Sequence, residues 1–330
     1  MSRLLAPYDS ISLVGNVKNA GKTTALKAFM EATDKRPLGL TSIGLDGEEL
    51  DLVSSLPKPR IRIEQGMLVA SARACLEASP LAFTVLERTG MYTGLGEVLI
   101  VRAEEAGNAL VGGPSTAAEL QCVVSRLHSL GARQVFVDGA FGRLTHAGAC
   151  QAMVYIVGAY LSPDMAKVAR EAGAAIRRFT LKQAPEAFAF LEDIQRPGTL
   201  DKDMVFHSLP FDTLIGHEKE AIASLQKDAD FLYVPGAMGN AFAQAFVLSR
   251  KEHACGLIVR DAAKLIADGE ALLRLLALNR PLLALSALNL VAVVLNPFSP
   301  AGWRFDSQAF KAAMRKETDL PLINVLEDAL

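Results

Sequence analysis

Ser10-Ile11-Ser12-Leu13-Val14-Gly15-Asn16-Val17-Lys18-Asn19-Ala20-Gly21-Lys22-Thr23-Thr24-Ala25-Leu26-Lys27 is the stretch whose reading decides the fold. An apolar run ends at Val14, small and polar residues follow from Gly15 to Thr24, and an Ala/Leu/Lys-rich helical pattern then begins. That order predicts a strand, a loop and a helix. The loop closes on Gly21-Lys22-Thr23-Thr24, the tail of a phosphate-binding P-loop, in which successive backbone N–H groups wrap a polyphosphate. On this reading Gly15, Asn16, Lys18, Asn19, Ala20, Gly21, Lys22, Thr23 and Thr24 form the nucleotide cradle. Lys22 reaches the β/γ-phosphates and the Thr23 hydroxyl ligates Mg²⁺. The helix starting near Thr23 aims its positive dipole end and unpaired N–H groups at the same anion. The motif departs from its usual form at one position. Where glycine is expected, before Gly21, stands Asn16, with Gly15 one residue earlier. Asparagine tolerates positive φ best after glycine, so Asn16 is expected to make the turn. The alternative is an ordinary strand-to-helix turn that carries GKTT.

A chain of 330 residues with 51% apolar content is long enough for two α/β domains, or for one large domain with insertions. Its 34 basic and 36 acidic residues nearly cancel, at a formal charge of −2, so no nucleic-acid face is demanded. Cys75, Cys122, Cys150 and Cys255 are widely spaced without a CxxC pair or a histidine at ligand spacing, which disfavours a zinc site or disulfide framework and fits a reducing, cytoplasmic setting. The opening MSRLLAPYDS lacks the sustained apolar core of a signal peptide. The longest apolar stretch, Pro281 to Leu295, is interrupted by Ser286 and Asn289 and is too short to span a bilayer.

Two carboxylates are candidates for the metal side of the nucleotide site. Leu38 to Glu48 reads as a second strand delivering Asp46 and Glu48 at its carboxyl end, the rim that the strands of an open parallel sheet share. Asp46 would hold Mg²⁺ directly or through water there; the alternative is an acidic surface turn. Gln134-Val135-Phe136-Val137-Asp138-Gly139 is an apolar strand ending in aspartate, the Walker B pattern, which would set Asp138 beside Lys22 as a second catalytic residue and on Mg²⁺ through its water shell. A buried strand ending in an Asp-Gly turn is the plainer reading. Beyond it, Arg143 is read as a phosphate contact or a surface arginine, and His146 as a loop histidine.

Between these motifs, residues 58–113 read as a β-rich insertion, with strands at Arg60–Ile63, Phe83–Arg88 and Glu97–Arg102, a helix over Met67–Glu77, a turn at Gly107-Asn108 and a glycine-rich loop at Gly90–Gly96. Ser115 or Thr116 is expected to cap a helix running to about Leu130, with Glu119 three residues beyond Thr116 completing a capping box. Met153–Ala159 is a buried strand, and Ser162-Pro163 starts a helix that ends near Gly173. Arg196-Pro197-Gly198 reads as a linker. The expected organisation is a P-loop domain over 1–200, joined to a C-terminal α/β domain over 201–330 with strands at Met204–Leu209, Phe231–Val234, Ala254–Val259, Leu288–Leu295 and Leu320–Val325. Pro235 to Asn240 links a strand to a helix, and its glycines are read as serving close packing, with an anion at the helix N-terminus as the alternative; Asn296 to Phe305 is a rigid aromatic loop suited to a partner contact.

The runs LTSIGLDGEELD (Leu40–Asp51), ERTGMYTGLGEVLIVRA (Glu87–Ala103), VFVDGAFGR (Val135–Arg143) and VGAYLSPDMAKV (Val157–Val168) together resemble the family of lysine 5,6-aminomutase reactivase B subunits, over about the first 175 residues. KNAGKTT (Lys18–Thr24) is similar, more distantly, to the loop of the molybdopterin-guanine dinucleotide adaptor and dethiobiotin synthetase type of P-loop ATPase. Two departures weigh against efficient hydrolysis more than against binding: Asn16 at a glycine position, and Lys18 one place from the second signature lysine of the related ATPases. The resemblance implies an ATP-dependent chaperone that reactivates an adenosylcobalamin-dependent aminomutase together with a MutS-like ATPase subunit. From the residues themselves the ligand is ATP or GTP with Mg²⁺, and the lack of a guanine-reading NKxD motif favours ATP. Two other classes stay open: a small-molecule ligase or kinase of the dethiobiotin synthetase kind, and a non-hydrolysing nucleotide-binding module.

Overall fold

The computed structural model describes residues 2–43, 60–139, 149–225, 229–249, 255–278, 280–325 and 327. The chain divides into two units, Met1–Val168 with Leu290–Leu330, and Ala169–Asn289. In chain order the first unit holds α1 (Ser2–Leu5), β1 (Ser10–Gly15), α2 (Lys22–Ala32), β2 (Leu38–Ser42), β3 (Ile61–Ile63), β4 (Leu68–Ala72), α3 (Arg73–Glu77), β5 (Phe83–Thr93), β6 (Gly96–Ala103), β7 (Gly107–Ala109), α4 (Ala117–Ser129), β8 (Gln134–Asp138) and β9 (Ala152–Gly158). Helix α5 (Met165–Phe179) is followed by β10 (Lys182–Gln183), β11 (Gly198–Leu200), β12 (Phe206–Ser208), α6 (Glu218–Ala223), β13 (Phe231–Val234), α7 (Asn240–Leu248), β14 (Gly256–Asp261), α8 (Gly269–Leu276) and β15 (Leu282–Ser286). The chain then returns to the first unit with β16 (Leu290–Asn296), α9 (Ser307–Arg315) and β17 (Leu322–Ile323).

Among the described residues, the first unit's main sheet has nine strands in the order β17-β16-β9-β1-β8-β2-β4-β6-β5. Neighbours from β17 to β4 run parallel, and β6 and β5 add antiparallel at one edge. The protein is thus mixed α/β with large, mostly parallel sheets. Every position of β1 and β9 is buried: β9 is accordingly a nearly continuous apolar run, and in β1 the small Ser10 and Ser12 are buried along with Ile11, Leu13 and Val14. Strand β8 shows both faces at work. Phe136 packs with Leu13, Leu26 and Phe29 on the side covered by α2, and Val135 and Val137 pack with Leu120, Val123 and Leu127 of α4 on the other. Among the described residues, the second unit has a six-stranded sheet in the order β10-β15-β14-β13-β11-β12, parallel from β10 to β13 and antiparallel beyond. Phe188, Leu191, Tyr233 and Ile258 are among its core residues.

Several expectations change. The expected boundary near residue 200 does not follow the sheets: the strands read at Leu288–Leu295 and Leu320–Val325 are β16 and β17, which pair with β9 and with each other in the first sheet. An apolar run specifies a buried strand but not which sheet buries it. Residues 60–113 are likewise no separate insertion, since β4 pairs with β2 and carries β6 and β5 with it, while β3 and β7 pair as a two-stranded ribbon. The helix read over Met67–Glu77 is β4 followed by the short α3, because the ladders to β2 and β6 override local helix preference. Gly107-Asn108 lies within β7, and Gly90–Gly96 forms the end of β5 and its turn into β6. Helix α5 is capped by Asp164, whose carboxylate accepts the N–H groups of Ala166 and Lys167, and it continues to Phe179. The capping box of α4 forms as expected, with Thr116 accepting from the Glu119 N–H and Glu119 accepting from the Thr116 N–H. Among the described residues no helix is long and apolar enough to cross a membrane.

Candidate functional site

Strand β1 ends at Gly15 and α2 begins at Lys22, so residues 16–21 form a tight connection at the carboxyl rim of the sheet. The left-handed positions that close it are Asn19, at φ 62°, and Gly21, at φ 99°. Asn16 does not adopt positive φ, contrary to the sequence expectation. It is buried and does something else: its side-chain amide donates to the Gly158 carbonyl at 3.4 Å, and its Oδ1 accepts the Gly158 N–H at 2.9 Å. With Asn16 N–H donating to the Ile156 carbonyl, the start of the loop is locked onto the end of β9. Gly158 has to be glycine for this approach, since a Cβ there would sit 2.6 Å from Ala20 Cα.

Lys22 and Asp138 come together. Strand β8 lies directly beside β1 with Asp138 level with Leu13, and Lys22 stands on the first residue of α2. Lys22 Nζ is 4.0 Å from Asp138 Oδ1 and donates to the Gly139 carbonyl. The Asp138 side chain is about four-fifths covered, at 20% exposure. Burial pushes its carboxyl above the usual aspartate range, with the Lys22 charge opposing the shift. Its buried Oδ1 accepts no hydrogen bond from the described residues. A buried carboxylate oxygen left in this state is costly, and a cation or a bound donor would relieve it.

The other expected residues lie along the same connection. Ala20 is fully buried, Lys18 and Asn19 are exposed, Thr23 is half-buried on the first turn of α2, and Thr24 is exposed beside it. Gly15 packs closely, a Cβ there lying 3.2 Å from both Ala20 and Lys22. Asp46, Arg143 and His146 lie outside the described residues. Sequence reasoning missed Asn296, which ends β16. Its amide donates to the Ala20 carbonyl at 3.1 Å, and a Cβ on Gly21 would lie 2.8 Å from that amide. A lone asparagine closing a long apolar run, before Pro297, was the available signal. The aromatic loop after it, expected to be rigid, is tied to the end of β9, with Trp303 Nε1 donating to the Ala159 carbonyl at 2.9 Å.

Chemically, this is a helix start with free N–H groups, one lysine and one carboxylate converging at a sheet rim. It can take an anion together with a divalent cation. Among the described residues no three His, Cys, Asp or Glu side chains cluster to hold a metal by themselves, so oxygens of a bound anion would have to complete the shell. That is how Mg²⁺ is usually held, with one or two protein ligands, substrate phosphates and water. In comparisons with known proteins, no family model, no curated protein and no solved structure matches the chain.

Proposed function

We propose that residues 15–24 form a P-loop that binds Mg-ATP, and that the protein acts as a reactivating or chaperone subunit for an adenosylcobalamin-dependent aminomutase, working with a MutS-like ATPase subunit. The observation that carries the nucleotide reading is the meeting of Lys22, at the start of α2, with Asp138, whose buried Oδ1 accepts no hydrogen bond among the described residues. Lys22 leaves Asp138 and Gly139 to grip the β/γ-phosphates, and the first N–H groups of α2 face the phosphate chain. Thr23 and Asp138 would hold the Mg²⁺, which would neutralise phosphate charge. The lack of an NKxD motif favours adenine over guanine. The aminomutase context is supported by the sequence resemblance over the first 175 residues. A reactivating factor must also bind its target more tightly in one nucleotide state than in the other.

Calorimetric titration tests the binding step. Charge-assisted contacts contribute about 1.5–3 kcal/mol each, so Lys22→Ala is expected to weaken Mg-ATP at least about ten-fold while the circular dichroism spectrum stays native. Unchanged affinity would overturn the P-loop assignment. Asp138→Asn is expected to show a defect that shrinks when Mg²⁺ is omitted, and an equal defect with and without metal would remove it from the metal site. The reactivating role is read by mixing the chain, the MutS-like subunit, Mg-ATP and fresh adenosylcobalamin with inactivated 5,6-aminomutase. Recovery is expected with the wild type and lost with Lys22→Ala; equal recovery with both would defeat the role.

A further inference from the structure

Resting on the nucleotide reading above, we infer that Tyr160 and Trp303 form an aromatic shelf that stacks the base of the bound nucleotide, with Asn296 fixing the shelf to the phosphate loop. The inference starts from the order of strands along the rim. On one side of β1 lies β8, bringing Asp138 and, with Lys22, the metal and terminal-phosphate end of the site. On the other side lie β9 and β16. A triphosphate whose far end sits at Asp138 and whose chain crosses the start of α2 delivers its nucleoside to the β9/β16 side.

That side is built for a flat ring. Tyr160 follows the end of β9 and Trp303 lies in the loop after β16; their rings are nearly parallel, at 15°, with centroids 6.4 Å apart. Both side chains are half-buried, so each keeps surface open to a ligand. Neither is loose. The indole N–H is held by the Ala159 carbonyl, and the loop between Asn296 and Phe305 is closed by hydrogen bonds from Ser299 N–H to the Trp303 carbonyl and from Phe305 N–H to the Pro297 carbonyl. The shelf is one step from the phosphate loop by two routes. Asn296 donates to the Ala20 carbonyl, and Gly158, next to Ala159, approaches Ala20 and bonds Asn16. A preordered aromatic surface loses little entropy on stacking, and every nucleobase presents a π-face to it.

Trp303 is the only tryptophan in the chain, so its emission reports on the shelf directly. The full chain is titrated with Mg-ATP and, separately, with Mg-tripolyphosphate, which has the phosphates and no base; fluorescence and calorimetry are followed together. ATP is expected to change Trp303 emission to saturation, and tripolyphosphate to bind with little change. Trp303→Leu is expected to weaken ATP about ten-fold while leaving tripolyphosphate affinity unchanged, and Trp303→Phe, which keeps a flat ring, to recover most of the loss. Tyr160→Leu, read by calorimetry and by the remaining Trp303 emission, is expected to give the same selective loss. The shelf is overturned if ATP binds without altering the emission, or if the leucine variants lose ATP and tripolyphosphate equally. If neither ligand binds the wild type, the nucleotide reading falls and the shelf falls with it.

Discussion

Asn16 occupies a position where glycine would be the usual phosphate-loop residue, and its work is visible in its two bonds to the Gly158 backbone. Asn16→Ala removes both partners and leaves a buried N–H and carbonyl exposed to neither water nor side chain. Each such orphan costs about 1–3 kcal/mol, so denaturant unfolding is expected to show a stability loss in that range. A change below about 0.5 kcal/mol would mean the two bonds contribute little beyond local water. Glu97 illustrates the residue scale away from the site. Its carboxylate, only 5% exposed, accepts from Arg88 at 2.7 and 3.0 Å, lies 3.6 Å from Arg73, and accepts the Gly90 N–H. The hydrogen bonds from Arg88 hold it below the usual glutamate range, against the opposing effect of burial. A depressed carboxyl stabilises the fold at pH values above its unfolded value, and that contribution is lost as pH falls through the folded value. Glu97→Gln is therefore expected to lower Tm at neutral pH, with the gap to wild type closing in acid. A gap that does not change with pH would assign the loss to packing.

At the scale of elements, the two ends of helices carry separable roles. The capping box at Thr116 is exposed and remote from Lys22 in sequence, and Thr116→Ala is expected to cost about 1 kcal/mol of unfolding free energy with Mg-ATP affinity unchanged. The junction between β9 and the β1–α2 loop should behave in the opposite way. A methyl group on Gly158 would lie 2.6 Å from Ala20 Cα and 2.9 Å from its carbonyl oxygen, so the loop itself must shift. Gly158→Ala is expected to weaken Mg-ATP by about ten-fold or more, because misplacing backbone donors by a fraction of an ångström breaks several phosphate contacts together. Wild-type affinity in this variant would show that the loop yields without loss of function.

For the whole molecule, the returning segment 290–330 is the consequential feature. β16 supplies six positions, from Leu290 to Asn296, paired against β9, including Val293 and Val294 at no more than 1% exposure. Residues 1–168 alone would leave the inner edge of β9 and its apolar neighbours uncovered. That fragment is expected to aggregate or remain unfolded, whereas residues 1–168 joined through a Gly/Ser linker to 290–330 should fold cooperatively. The second unit, taken as 163–289 so that Asp164 still caps α5, should fold alone on its own sheet and core. Circular dichroism and thermal unfolding of the three pieces decide this, and a folded 1–168 fragment would remove β16 from the essential core.

Ser10–Lys27 determined the strand, loop and helix at the centre of the first unit, because a buried parallel strand and an amphipathic helix leave different periods in the chain. The aspartate closing an apolar strand at Asp138, and the Thr116–Glu119 cap, were legible for the same reason: both are local patterns whose chemistry is complete within a few residues. What was not legible depended on partners distant in the chain. Only the tertiary structure decided that Asn16 bonds Gly158 instead of making the turn, that Asn296 reaches Ala20 across 276 residues, and that β16 and β17 belong to the first sheet. An apolar strand states that it will be buried, and an asparagine that it will be hydrogen-bonded. Which strand or carbonyl completes each is settled by packing of the whole chain.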